Sequence, residues 1–364
     1  MKIGLICPYN IYKGGGVQEV VFALQAELSR RGHEALIVTP QPREVPKNVQ
    51  PFVRLLGRAR DIKSPFQNTT AQISVSVDTK QLVQLLDKEQ FDVLHFHEPW
   101  VPFLSWQMLQ RSQTKNVATF HAKLPDTVMS RTIERVITPY TKAVLKYPNL
   151  LTAVSEAGAE YARSLTNQDI AIIPNGIDLT KYKVGKPASE KYVFYIGRLE
   201  GRKGLKYLIK AMSQQQRGER PLKLIIAGDG QDRQRLMNYA QDQHVDVEFL
   251  GRVSDAEKLK LLRGATVFCS PAIYGESFGI VLLEAMACGV PVVAGDNPGY
   301  SAVLSGTGQL SLVNPKETAD FVRTIELMAY DEQLREVWRI WALETVKQYN
   351  YPNVVDAYER FYAA

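Results

Sequence analysis

Short apolar runs rich in β-branched residues alternate along this chain with amphipathic helical stretches, and the whole pattern runs through twice. Such alternation builds parallel sheets from β-α-β units. The first series places strands near Lys2–Cys7, Glu34–Thr39, Phe91–His97, Val117–His121, Leu150–Val154 and Ala171–Ile173. The second places them near Tyr192–Gly197, Lys223–Ala227, Val247–Leu250, Thr266–Ser270 and Val290–Ala294. Between the series, Pro174-Asn175-Gly176-Ile177-Asp178 and the polar residues through Glu190 read as a linker. A chain of 364 residues also exceeds the size at which one core keeps growing, so two Rossmann-like domains are expected. They span residues 1–172 and 173–345. The helical pattern from Lys316 to Ala364 breaks near Asn350-Tyr351-Pro352, so the last helix, 346–364, is expected to cross back to the first domain.

Composition excludes several classes. With 45% hydrophobic and 23% charged residues the chain is neither disordered nor fibrous, and no repeat of solenoid period or low-complexity tract interrupts it. The run Ile3–Cys7 is too brief for a signal-peptide core, and no apolar run approaches the roughly 18 residues of a spanning helix. Cys7, Cys269 and Cys288 are odd in number, lie in apolar stretches and lack metal-ligand spacing, so they read as reduced core residues. A cytoplasmic protein is expected, with any membrane contact peripheral on the inner face. The net charge of +6 is uneven: residues 1–64 hold ten Lys or Arg against five Asp or Glu. Such a face fits anionic lipid, a phosphorylated acceptor, nucleic acid or plain solvation.

The strongest chemical signal is Tyr274-Gly275-Glu276-Ser277-Phe278-Gly279-Ile280-Val281-Leu282-Leu283-Glu284-Ala285. If a helix starts near Gly279, Glu276 stays on the loop while Glu284 lies about 8 Å along the axis, so both can reach one extended ligand. The N–H groups of Phe278, Gly279 and Ile280 then suit a phosphate, through hydrogen bonding and the helix dipole. Carboxylates only accept hydrogen bonds, so Glu284 suits a ribose diol and Glu276 sugar hydroxyls. A capped helix with two surface acids fits the same residues. In Gly197-Arg198-Leu199-Glu200-Gly201-Arg202-Lys203-Gly204, cations follow a strand at the carboxyl edge of its sheet. Arg198 and Lys203 could stabilise a departing diphosphate as its charge develops, or form a solvated basic loop.

Gly14-Gly15-Gly16 follows the first strand by a short loop and permits close approach of phosphate to backbone. It is not G-x-G-x-x-G, and the second strand ends Val38-Thr39-Pro40 without the ribose-binding acid of dinucleotide sites. His121 ends one strand and His95-Phe96-His97-Glu98 another, both at the ligand-binding edge. His121 could hydrogen-bond a sugar or serve structure alone. His95 and His97 share a strand face, but no third ligand is spaced for zinc, so no metal is expected.

Together with Cys7-Pro8-Tyr9, Gly15-Gly16-Val17-Gln18, Phe91-Asp92-Val93-Leu94-His95, His97-Glu98-Pro99, Ala118-Thr119-Phe120-His121 and Ile173-Pro174-Asn175-Gly176, these motifs span nearly the whole chain. They resemble the retaining GT-B glycosyltransferases of family four, bacterial phosphatidylinositol mannosyltransferases among them. The resemblance implies an α/β GT-B fold of two Rossmann-like domains with a C-terminal helix crossing back. It implies that Gly15, Gly16, Arg198 and Lys203 meet the diphosphate, Glu284 the ribose, and Val253 with Lys258 the base. Glu276 and His121 would meet the transferred sugar, and Tyr9, Gln18 and Arg202 the acceptor. The implied reaction retains the α configuration and needs no metal or cofactor beyond the nucleotide-sugar co-substrate; the donor phosphate accepts the acceptor's proton on the same face. GDP-mannose is the favoured donor and a lipid such as phosphatidylinositol, at an anionic membrane surface, the favoured acceptor. No nucleic-acid partner is expected, and the sequence leaves the oligomeric state open.

One departure is clear: those mannosyltransferases carry dense Lys and Arg after the acceptor loop, whereas Ile73–Gln84 holds only Lys80. A substitute could be a helix bringing Phe52, Leu55, Leu56 and Ala59 onto one face beside Arg54, Arg58, Arg60 and Lys63. Gly57, Pro51 and Pro65 favour a loop or strand instead. A soluble sugar or thiol-precursor acceptor with a UDP-sugar donor is the alternative transferase reading. A nucleotide-sugar epimerase would share the architecture without needing an acceptor, and a dehydrogenase lacks its acid in the first β-α unit.

Overall fold

A computed structural model describes residues 1–63, 70–123, 137–186 and 188–363. The chain divides into two units, Met1–Gly176 with Tyr351–Ala364, and Ile177–Asn350; the sequence reading divides at 172/173 and 345/346. In the first unit β1 (Lys2–Ile6), β2 (Glu34–Gln41), β3 (Val53–Lys63), β4 (Thr70–Ser76), β5 (Val93–His97), β6 (Lys115–Phe120), β7 (Leu150–Ala153) and β8 (Ile170–Ile172) form one sheet. Its order is β4-β3-β2-β1-β5-β6-β7-β8. β1 runs parallel to both β2 and β5, with Ile3 opposite Ala35 and Val93. Every residue of β5 is buried, as in a strand covered on both faces. The order turns back at β1, so the carboxyl ends of β1 and β5 mark the switch point where α/β sheets bind ligands.

Phe52–Lys63 forms no helix. After Phe52 the segment is strand β3, parallel to β2 and antiparallel to β4, so the ladders satisfy its backbone while Leu56 and Ala59 enter the core. Gly57 sits at φ 75 beside the register shift between Arg58 and Ala59, a left-handed conformation that glycine adopts without a Cβ penalty. Arg54 turns to the buried Glu89, which accepts from its Nε at 2.7 Å and from Lys2 Nζ at the same distance. Arg58 and Arg60 stay exposed, and Pro65 lies outside the described residues.

The C-terminal helix (Tyr351–Ala363) belongs to the first unit. Arg31, at the end of helix α1 (Gly16–Arg30), donates from Nη1 to Asp356 and Glu359, each at 2.6 Å. Tyr362 and His95 share a buried hydrogen bond of 2.7 Å, which costs roughly 1–3 kcal/mol if one partner is stranded.

In the second unit β9 (Tyr192–Ile196), β10 (Lys223–Ala227), β11 (Val247–Gly251), β12 (Val267–Ser270), β13 (Val292–Gly295) and β14 (Leu312–Val313) make a parallel sheet ordered β11-β10-β9-β12-β13-β14. The switch point falls between β9 and β12. The three cysteines are buried with free thiols, and burial pushes Cys288 up to about 11. Among the described residues no helix is long and apolar enough to cross a membrane.

Candidate functional site

The loop after β9 and the loop after β12 meet at the switch point of the second unit. Gly204, at φ 73, closes the first loop ahead of helix α2 (Leu205–Gln215), and a Cβ there would fall 1.9 Å from the Pro271 carbonyl oxygen. Only glycine allows that approach. The Ile273 N–H donates to the Arg202 carbonyl at 2.9 Å, which ties the loops a second time.

Their charged side chains alternate in sign. Arg198 Nη1 lies 3.2 Å from Glu200 Oε1, and Arg202 Nε lies 3.1 Å from Glu200 Oε2. Glu276 Oε1 takes both Arg202 Nη1 at 2.6 Å and Lys203 Nζ at 2.8 Å. Arg198 is 44% exposed, whereas the other four side chains are between 7% and 16% exposed, so Arg198 is the cation that faces solvent. Burial pushes the Glu276 carboxyl up, but the Lys203 and Arg202 charges outweigh it and hold the group below the usual carboxylate range. Burial lowers Lys203 despite Glu276.

Helix α4 (Ile280–Ala287) begins directly after this loop; α3 (Asp255–Gly264) precedes it in the chain. Gly279 stands at the N-cap of α4 and has no side chain with which to cap it, so the first turn offers N–H groups and a dipole end to an anion. Phe278 is buried and meets Tyr349 edge-on, with ring centroids 5.7 Å apart. Further along α4, the buried Glu284 accepts from Tyr182 at 2.7 Å and from Lys258 at 2.8 Å, both on Oε1. Lys258 lies on α3, whose start is capped by the Ser254 hydroxyl, and Val253 immediately precedes that cap. Arg198, Arg202, Lys203, Glu276 and the α4 start thus form one cluster, and Lys258 with Glu284 an adjoining one along α4.

The other sequence-derived residues stand in the first unit. Tyr9 follows β1 and bridges to Ile73. Gly15 stands at the N-cap of α1 and has no side chain with which to cap it, and a Cβ on Gly16 would meet open space. The Gln18 amide donates back to the Lys13 carbonyl at 2.9 Å, which closes the loop. At the end of β6, His121 is held twice: its backbone N–H donates to Glu98 Oε1 at 2.7 Å, and its Nε2 faces His97 Nδ1 at 2.9 Å. Glu98 also accepts from the Trp100 indole. Burial brings His95 down to about 3 and His121 to about 4, with Asn175 opposing the latter shift, and pushes His97 well below its ordinary value. The same burial raises Glu98 to about 7. At neutral pH His121 is therefore a neutral hydrogen-bonding group, not a cation.

Residues 14–181 match the family described as Glycosyltransferase Family 4, and residues 177–343 match Glycosyl transferases group 1. A phosphatidyl-myo-inositol mannosyltransferase of Mycobacterium leprae is 32% identical over 370 residues, covering 100% of this chain and 96% of the relative. The chain belongs to glycosyltransferase family 4. Its fold is GT-B: sucrose-phosphate synthase from Thermosynechococcus elongatus superimposes with a TM-score of 0.79 at 20% identity, covering 100% of this chain and 98% of that one. Anabaena HepE, solved in complex with UDP-glucose, gives a TM-score of 0.76 at 19% identity over 100% and 99% of the two chains.

In this glycosyltransferase three residues that the sequence did not single out hold the candidate groups in place, two in the second unit and one in the first. Glu200 spaces the two arginines, Tyr182 shares Glu284 with Lys258, and Glu98 fixes the backbone of His121. The alternation Arg198-Leu199-Glu200-Gly201-Arg202 was the one available signal for Glu200; Tyr182 lies 102 positions from its partner and left none. Arg202, implied as an acceptor contact, is buried and directs its guanidinium to Glu200 and Glu276.

Proposed function

We propose that this glycosyltransferase moves a hexose, mannose before others, from a nucleotide sugar, GDP-mannose before others, to a membrane lipid such as phosphatidylinositol. The new bond is α, with retention. The observation that carries the reading is the cluster of Arg198, Lys203 and Glu276 beside the glycine-capped start of α4 at the sheet's switch point. A nucleoside diphosphate leaving group gains negative charge as the sugar C1–O bond breaks, and cations with helix N–H groups stabilise that charge most in the transition state. Glu276 accepts from sugar hydroxyls and Glu284 from the ribose diol, while Val253 and Lys258 meet the base. Gly16 leaves backbone open to phosphate with Gly15 beside it, Tyr9 and Gln18 orient the acceptor, and neutral His121 hydrogen-bonds the sugar. No metal takes part. The acceptor oxygen bonds to C1 on the face that the diphosphate leaves, and its proton passes to a phosphate oxygen.

The Mycobacterium leprae relative's name supports mannose and the lipid, and the UDP-glucose complex of HepE supports a nucleotide sugar as donor. The test incubates the protein with a panel of nucleotide sugars and reads hydrolysis and thermal protection, since a ligand that binds only the native state raises apparent stability. GDP-mannose should protect, and its sugar should pass to phosphatidylinositol; turnover unchanged in Glu276→Ala defeats the assignment. A soluble acceptor with a UDP-sugar donor is the second reading, favoured by the single lysine of Ile73–Gln84 and by the engagement of Arg54 with Glu89. Screening acceptors separates the two.

A further inference from the structure

In this unit the group assigned to the sugar is already bound to a group assigned to the diphosphate. Lys203 Nζ rests 2.8 Å from Glu276 Oε1, and the same oxygen takes Arg202 Nη1 at 2.6 Å. Arg202 has Glu200 as a further anchor; Lys203 pairs with Glu276 alone among the described residues. Both Lys203 and Glu276 are mostly buried, at 16% and 13% exposure, so a partner that either one loses is poorly replaced by water.

We propose that Glu276 discriminates between the intact donor and the bare nucleoside diphosphate by competing with the diphosphate for Lys203. This rests on the donor reading given above. An arriving diphosphate draws Lys203 away and leaves the Glu276 carboxylate short of one charge-assisted partner beside a new negative charge. When a sugar is attached, its hydroxyls donate to Glu276 and offset that loss. After transfer the hydroxyls have left with the acceptor, and the loss stands uncompensated. Glu276 therefore weakens the hold on the nucleotide product more than on the donor, and the ion pair re-forms as the product departs.

The experiment measures dissociation constants of GDP, UDP and the corresponding nucleotide sugars by calorimetry for wild type, Glu276→Gln, and Glu276→Gln combined with Lys203→Ala. The amide keeps the side chain's size and removes its charge. The Gln variant should bind the bare diphosphate about tenfold tighter, the scale of one charge-assisted hydrogen bond, and the intact donor no tighter than wild type does. The gain should vanish when Lys203 is also replaced, because the freed cation is its source. Glu276→Asp, which shortens the reach to Lys203, should tighten diphosphate binding by less, and it serves if the Gln variant does not fold. An unchanged or weaker diphosphate affinity in Glu276→Gln, or an equal gain without Lys203, overturns the proposal while the donor reading stands. Wild type that binds none of these nucleotides overturns both.

Discussion

Acidification should loosen the first unit well before its surface carboxylates titrate, because the unit buries three histidines in the neutral form. His95 falls to about 3 and His121 to about 4, both through burial, and His97 is driven low by the same cause. An unfolded histidine titrates near 6.5, so below that pH the unfolded chain takes up protons that the native one refuses. Their stabilising effect is complete above about pH 6.5 and is lost as pH falls toward the native values. Glu98 acts in the opposite sense, since burial raises it to about 7 and the native state already holds its proton at pH 5.5. Three protons against one leave a net of about two, which gives roughly 2.5 kcal/mol of stability lost per pH unit between 6 and 5. Amide hydrogen exchange of β5 and β6, corrected for intrinsic rates, reads this for the first unit alone. Replacing His97, whose buried Nε2 has no hydrogen-bond partner among the described residues, by Phe should reduce the slope by about 1.4 kcal/mol per pH unit, one proton's worth. Protection that does not change between pH 7 and 5, or a slope unaltered in His97→Phe, refutes the assignment of these histidines as neutral.

Two further outcomes follow from the geometry and one from the charge distribution. Gly204→Ala should destabilise the second unit by about 2–3 kcal/mol, because its Cβ would fall 1.9 Å from the Pro271 carbonyl at a φ of 73; thermal melting measures it. Arg198→Ala or Lys203→Ala should lower kcat about thirty- to thousandfold with a smaller effect on donor KM, as expected for groups that act on developing charge. Flotation with anionic liposomes should carry the protein at low salt and release it as salt rises, since residues 1–64 hold ten basic groups against five acids; no salt-sensitive association rejects membrane binding.

Most strands could be read from the sequence because parallel strands buried on both faces are unbroken apolar runs. Lys223–Ala227 is found where expected, and β5 differs only in losing Phe91 and Asp92. β3 was harder. Its Arg54, Arg58 and Arg60, the left-handed Gly57 and the register shift at Arg58/Ala59 break the period that marks a strand, and its ladders to β2 and β4 decide the outcome. β14 has two residues, too few for any period. The site followed the same division. Glycines with charges after a strand, and acids eight positions apart across a helix start, are local and visible. The pairing of Glu276 with Arg202 spans 74 positions and depends on two loops meeting, so the sequence offered the acid and the base but not their bond.

The most direct measurement supplies GDP-mannose labelled in the sugar together with phosphatidylinositol vesicles and counts label in the lipid extract. Wild type should transfer mannose to lipid, and Glu276→Ala should lose about thirty- to thousandfold of that rate. Label that reaches no acceptor from any nucleotide sugar, or an unimpaired Glu276→Ala, would contradict donor binding and transfer by these residues.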